Sequence, residues 1–382
     1  MKKILFVFGT RPEAIKLAPV VSAFRDSEFR GKDAEDSAPF AARVVVTGQH
    51  RGLLDQALDV FGIRPDYDLN VMRPGQTLFD STSRILAALE PVLRAERPDL
   101  VLVQGDTTTA FCGALAAFYM GVPVGHVEAG LRTGDMREPF PEEMNRVLIS
   151  KLAALHFAPT KASAENLQAE GIDATSTFVT GNTGIDAVLD VRDRLVAGTL
   201  DGGELPALDA GKKLVLVTAH RRESFGDGFL GICDALVRLA ARGDVEIVYP
   251  VHPNPNVREV VERKLAGVAG IHLVEPLSYV PFVELMRRAH ILLTDSGGIQ
   301  EEGPSLGKPV LVMRDKTERP EAVEAGTAVL VGTDATRIVA EAARLLDDSA
   351  EYARRSRMHN PYGDGRASAR IRDAVVAYFT KS

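Results

Sequence analysis

A chain of 382 residues exceeds what one hydrophobic core serves and is read as two or three domains. Its 45% apolar and 25% charged residues are ordinary for a globular protein, and a net charge of −7 counts against a dedicated nucleic-acid partner. Two cysteines, Cys112 and Cys233, read as buried thiols, and no window reaches the roughly 18 apolar residues of a membrane span, so a cytoplasmic protein with no membrane partner is expected.

The first apolar run, ILFVF (4–8), is too short for a secretory signal and is stopped by Gly9 and Pro12. Further β-rich runs stand at 43–47, 99–104, 122–127, 154–158 and 177–180. A second series follows at 213–219, 245–251, 271–274, 291–295, 309–313 and 328–331. Helical periodicity lies between them. Continuous Val/Ile/Leu runs mark strands buried on both faces, and strand–helix alternation predicts a parallel sheet. The fold class is therefore α/β, with two Rossmann-like, doubly wound lobes at 1–180 and 213–365. The stretch 181–212 is the expected linker or hinge, and AGTLDGGELPALDAGKK (197–213) is its best candidate segment. A helix over 366–382 is expected to return to the first lobe, and 26–39 is expected as a surface loop.

Doubly wound sheets bind ligands beyond the carboxyl ends of their strands. In GTRPEAIKLAP, Arg11 and Lys16 add positive charge to a helix start that already attracts anions. The plain alternative is a capped helix with two surface cations. In QGDTTT, Asp106 follows a strand and either caps the next helix or faces a ligand, with threonine hydroxyls beside it. The stretch HVEAGLRTGDMREPFPEEMNR crowds Glu128, Asp135, Glu138, Glu142 and Glu143 among Arg132, Arg137 and Arg146. Glu143 and Arg146 could pair on the helix surface. Glu128 comes directly off a buried-type strand, where an idle carboxylate would cost desolvation energy.

In TAHRRE, His220 stands at a strand end with Arg221 and Arg222, a pattern suited to phosphate. His252 lies in VHPNPNV, a rigid turn where a site role and a plain loop histidine weigh equally. In TDSGGIQEEG, Ser296, Gly297 and Gly298 open a helix whose N–H groups can face a phosphate, and Glu302 is one turn further on. No GxGxxG, Walker A or GxSxG pattern occurs, and no Cys/His cluster has metal-ligand spacing. No cofactor and no metal are expected.

Taken in order, GTRPEAIKLAP, VTGQHR, GDTTT, GHVEAGLRTGD, PFPEEMNR, GNTGIDA, TAHRRE, VHPNPNV and TDSGGIQEEGPSLGKPVLVMRDKTERPE resemble the non-hydrolysing UDP-N-acetylglucosamine 2-epimerases. The motifs run from residue 9 to about residue 321. The resemblance implies a glycosyltransferase-B-like fold with the active site in the cleft between the lobes, and interconversion of UDP-N-acetylglucosamine and UDP-N-acetylmannosamine without NAD or metal. It implies that Arg11, Lys16, Asp106, Glu128, Glu142 and His220 line the site, and that Phe282, Ser296, Gly298, Glu302 and Arg319 hold the uridine diphosphate. It also implies a homodimer, and in some members activation by substrate at a second site matching Gln49, Arg221, Arg222 and His252. Gly52 stands where some relatives carry Gln, which removes one side-chain contact there.

The residues suggest the chemistry. The C2 hydrogen of the sugar is not acidic, and acid–base help supplies only roughly 10²–10⁴-fold. Breaking the C1–oxygen bond makes that hydrogen acidic, so UDP leaves, a 2-acetamidoglucal remains, and re-addition gives the epimer. Asp106, Glu128 and Glu142 are the candidates to move the proton. Arg11, Lys16, His220 and the Ser296–Gly298 turn are the candidates to hold the departing diphosphate, with Arg146 holding the loop and reaching the substrate. A retaining glycosyltransferase, an epimerase of a differently decorated sugar nucleotide such as a diacetamido uronic acid nucleotide, and a non-catalytic UDP-sugar sensor are the rival readings.

Overall fold

The computed structural model describes residues 1–25, 40–48, 51–73 and 75–381. The chain divides into two compact units, residues 1–187 with 362–382, and residues 188–361.

Unit 1 runs β1 (Lys3–Phe8), α1 (Arg11–Arg25), β2 (Ala41–Val46), α2 (Arg51–Val60), β3 (Tyr67–Asp68), α3 (Leu78–Glu96), β4 (Leu100–Gln104), α4 (Thr108–Tyr119), β5 (Val124–Val127), α5 (Glu142–Leu152), β6 (Leu155–Ala158), α6 (Lys161–Ala169), β7 (Thr177–Val179) and the start of α7 (Thr183–Val196). Its strands pair in parallel in the order β3-β2-β1-β4-β5-β6-β7. Leu5, Val7, Val45, Val101 and Val103 of this sheet pack against Ile85 and Leu89 of α3 and Ala110 and Ala114 of α4. Helix α4 comes close to the sheet because Gly113 has no side chain. A Cβ there would meet Val103 at 3.0 Å and Val7 at 3.1 Å.

Unit 2 holds the rest of α7, then β8 (Lys213–Thr218), α8 (Asp227–Ala240), β9 (Val245–Pro250), α9 (Pro255–Leu265), β10 (Ile271–Val274), α10 (Tyr279–Arg288), β11 (Ile291–Thr294), α11 (Gly297–Ser305), β12 (Val310–Val312), α12 (Pro320–Glu324), β13 (Ala328–Leu330), α13 (Ala335–Asp347) and α14 (Ser349–Ser356). Its strands are also parallel, ordered β10-β9-β8-β11-β12-β13. Val215, Val217, Ile247 and Leu293 pack there with Phe229, Leu236 and Val261. Both units are doubly wound, parallel α/β sheets, the class expected.

The last helix, α15 (Ala367–Lys381), belongs to unit 1 and packs on α1. Asp186 anchors its start by accepting N–H bonds from Ala367 at 3.2 Å and Ser368 at 2.8 Å. Three features differ from expectation. Strand β3 went unforeseen because Tyr67–Asp68 is too short to carry a pattern; it pairs with Val45 and Val46. The stretches at 122 and 309 start their strands later, at Val124 and Val310, because Pro123 and Pro309 bring no N–H to a ladder. Of the linker expected at 181–212, residues 183–196 are helix α7. The expected surface loop 26–39 lies outside the described residues. No described helix is long and apolar enough to cross a membrane.

Candidate active site

Each sheet reverses its order of addition once, between β1 and β4 in unit 1 and between β8 and β11 in unit 2. The residues that follow these strands are the ones the sequence singled out.

In unit 1, Glu128 is the first residue after β5 and Asp106 the second after β4. The Glu128 side chain is 7% exposed and takes both carboxylate oxygens to Lys16 Nζ, at 2.6 and 2.7 Å. Gln104 Nε2 also donates to Glu128. The Glu128 backbone has φ +65°, a left-handed conformation uncommon outside glycine. Asp106 pairs with Arg146 at 2.6 Å. Its carboxyl is pushed above the ordinary aspartate value, first by burial. Arg146 and Lys16 oppose that rise, while the charges of Glu128 and Glu142 add to it. Lys16, Asp106, Glu128, Glu142 and Arg146 are thus one cluster. Arg11 opens α1 half-buried and makes no ion pair among the described residues.

Two plain alternatives raised by the sequence are corrected here. Asp106 does not cap α4; Thr107 does, its hydroxyl accepting from Ala110 N–H. Glu143 and Arg146 do not pair on the surface. Glu143 is 1% exposed, accepts N–H bonds from Thr133 at 3.0 Å and Gly134 at 3.1 Å, and lies 3.3 Å from Arg146. Glu143 therefore ties down the charged loop, and its neighbour Glu142, at the first position of α5, is left to Asp106. Arg132 likewise serves the loop, paired with Glu170 at 2.6 Å.

In unit 2, Asp295 follows β11 fully buried and accepts backbone N–H bonds from His220 at 2.6 Å and Arg221 at 2.7 Å. The His220 ring stacks on His252, centroids 5.2 Å apart and planes 11° apart. Two histidines that the sequence assigned to different sites are therefore neighbours. Burial holds the His220 ring below the ordinary histidine value, and His252 and Arg221 push the same way against Asp295. Arg222 is exposed in a short turn. Helix α11 starts at Gly297 with Ser296 before it, and the Ser296 side chain does not cap it. Arg319 lies beside that start, within 3.7 Å of where a Gly297 Cβ would stand, and is paired with Glu301. The phenol of half-buried Tyr279 is held above its ordinary value first by its enclosure and then by the charge of Glu302. Phe282 is half-buried on the same helix as Tyr279. Gln49 lies outside the described residues. Among them, no three His, Cys, Asp or Glu groups are placed to hold a metal ion.

A sequence model of the family described as UDP-N-acetylglucosamine 2-epimerase matches residues 32–376. The chain belongs to that family. The UDP-N-acetylglucosamine 2-epimerase of Salmonella typhimurium is 58% identical over 381 residues, 98% of this chain and 99% of that one. That of Escherichia coli K12 is 57% identical over 378 residues, 98% of each. The crystal structure of UDP-GlcNAc 2-epimerase from Neisseria meningitidis, bound to UDP-GlcNAc, matches with a TM-score of 0.85 at 46% identity, covering 98% of this chain and 100% of that one. The protein is accordingly an enzyme of the isomerase class.

In this 2-epimerase family member, residues that sequence reasoning passed over hold the cluster in place. Glu13 is 1% exposed and accepts from Gly9 N–H at 3.0 Å, Thr10 N–H at 2.7 Å and Thr107 Oγ1 at 2.6 Å. It joins the turn before Arg11 to the turn after Asp106. Burial pushes its carboxyl up, and those bonds oppose the rise. Gly9 has no room for a Cβ, which would overlap the Thr47 and Thr109 hydroxyls, themselves bonded at 2.9 Å. Of the threonine hydroxyls beside Asp106, those of Thr107 and Thr109 are therefore spent internally. Buried Asn145 donates to the Asp106 carbonyl at 2.8 Å. The available signal was a carboxylate and an amide within motifs already noticed, with nothing to show that they turn inward.

His126 is fully buried two residues before Glu128, its Nε2 2.7 Å from the Gly105 carbonyl and its Nδ1 without a hydrogen-bond partner among the described residues. Burial drives its pKa down to about 3 from 6.5. It stays neutral when folded and takes up a proton on unfolding below pH 6.5. Its contribution to stability is full above pH 6.5 and is lost as pH falls toward 3. Between pH 6 and 4, wild type is expected to lose up to about 1.4 kcal/mol per pH unit more than His126→Gln does. Equilibrium urea unfolding across that range checks the slope difference.

Proposed function

We propose that the enzyme reversibly epimerises UDP-N-acetylglucosamine to UDP-N-acetylmannosamine by eliminating UDP to 2-acetamidoglucal and adding it back. The observation that supports this reading is the gathering of Asp106, Glu128 and Glu142 with Lys16 and Arg146 at the switch point of the first sheet. Epimerisation must remove a proton from one face of C2 and return one to the other. A cluster of three carboxylates, one carrying a raised pKa, is suited to both tasks. Arg11, Lys16, His220, the uncapped start of α11 and Arg319 then stabilise the departing diphosphate. Phe282 and Glu302 hold the nucleoside, and Arg146 orients Asp106 against the substrate. Arg221, Arg222 and His252 are read as belonging to a second UDP-sugar site. We also read the chain as a homodimer, supported by exposed Phe79, Phe118 and Tyr119 on α3 and α4.

A retaining glycosyltransferase would share the fold but needs an acceptor and does not call for three carboxylates at the sugar. The test is incubation of the pure protein with UDP-N-acetylglucosamine alone in D₂O, with EDTA and without NAD. NMR of the C1 proton is expected to show the second epimer, with deuterium at C2 of both. Loss of activity with EDTA that a metal restores would overturn the metal-free reading. Epimerisation with C2 hydrogen retained would overturn the elimination.

A further inference from the structure

We propose that Asp295 is a positioning residue that keeps the hydrogen of the neutral His220 ring on Nδ1, so that Nε2 is the nitrogen left for the ligand. This rests on the reading of His220 as a substrate-facing group. Asp295 Oδ2 receives the backbone N–H groups of His220 and Arg221, so the chain and the carboxylate are fixed to each other. Its other oxygen, Oδ1, is buried, makes no hydrogen bond among the described residues, and lies 3.3 Å from His220 Nδ1. A carboxylate only accepts, so a ring nitrogen facing Oδ1 is favoured when it brings the hydrogen. A lone pair there would oppose the charge.

The surroundings hold the ring in that orientation. His252 stacks on it, and His252 Nδ1 accepts from the Asn254 N–H at 3.1 Å, which turns that ring's own lone pair away to the chain. Tyr249, fully buried, donates to the Ala219 carbonyl at 2.7 Å and fixes the residue before His220. Three elements therefore converge on one imidazole: the β8 end that bears it, β9 with Tyr249 and His252 after it, and the β11 end with Asp295. Because burial keeps the ring below the ordinary histidine value, the neutral tautomer is the species that matters near pH 7. The second nitrogen is then a lone pair that can take up a proton, and Asp295 steadies the imidazolium that results, whose Nε2–H donates to the departing diphosphate.

Long-range ¹H–¹⁵N NMR of the full-length protein reads the tautomer, with the His220 signal assigned by its loss in His220→Asn. Wild type is expected to show a protonated Nδ1 and an unprotonated Nε2 at pH 7.5. Asp295→Asn keeps an oxygen for the two backbone N–H groups but presents an amide N–H to Nδ1, so the hydrogen is expected on Nε2. Its kcat is expected to fall about 10²-fold or more, with UDP affinity changed by less than about threefold. A residue acting through His220 adds little once His220 is gone, so the Asp295→Asn/His220→Asn double variant is expected within about threefold of His220→Asn alone. An Nε2–H tautomer in wild type would overturn the proposal, and that spectrum decides even if Asp295→Asn does not fold. So would Asp295→Asn with unchanged tautomer and kcat. If His220→Asn keeps full turnover, the reading of His220 fails, whereas the wild-type spectrum still judges Asp295.

Discussion

Asp106→Asn is expected to lower turnover by roughly 10²–10⁴-fold, the loss typical of one acid–base group, while UDP affinity changes by less than about threefold. The side chain is 27% exposed and pinned at 2.6 Å by Arg146, so an amide of the same shape keeps the fold and the neighbouring turn. Asn145 holds that turn through the Asp106 backbone, which the substitution does not touch. What Asn removes is the titrating group whose proton affinity burial, Glu128 and Glu142 have raised. The acid limb of the kcat/KM profile should lie above the ordinary aspartate value in wild type and be lost in the variant. Glu142→Gln should also slow turnover, and should let the Asp106 carboxyl fall, moving the limb to lower pH. Full turnover in both variants, measured by coupled release of product epimer, would return the charged loop to a solvated surface.

Much of the fold was legible because a doubly wound protein writes its strands as uninterrupted Val/Ile/Leu runs, and because the residues after such runs are set by topology. Asp106, Glu128, His220 and Ser296 were singled out that way, and each does follow a strand. Where the sequence misled, two adjacent or equivalent groups competed for different environments. Glu142 and Glu143 are chemically alike and consecutive, yet only Glu143 is turned into the protein to tie down Thr133 and Gly134. No periodicity separates them before the loop is built. Asp106 and Thr107 are both good caps, and the choice fell to Thr107 because Glu13 receives its hydroxyl hydrogen. Asp295 was hidden inside a motif whose glycines drew attention to phosphate binding. His220 and His252 lie 32 positions apart (252 − 220), and only the parallel pairing of β8 with β9 brings their rings together.

Lys16→Met is expected to cost both stability and activity, and the two losses should separate. The Lys16–Glu128 pair is nearly enclosed, with side-chain exposures of 22% and 7%. Removing one partner of a buried pair leaves an uncompensated charge, a loss of about 3–5 kcal/mol when burial is complete. The residual exposure of Lys16 puts this case below that range, at about 2–3 kcal/mol. Glu128→Gln makes the mirror-image orphan, and its amide must also face Gln104, which donates to the carboxylate now. The double variant Lys16→Met/Glu128→Gln has no orphaned charge, so chemical denaturation should show much of the lost stability returned. Turnover should not return. A neutral pair cannot take a proton from C2 or meet the negative charge of departing UDP, so the double variant should stay at least about 10²-fold below wild type. The left-handed backbone of Glu128, φ +65°, fits such a division. A strained residue costs roughly 1–3 kcal/mol and persists where its surroundings impose it. If the double variant regained both stability and rate, the pair would be a structural tie and the proton would have to be carried by Asp106 and Glu142 alone.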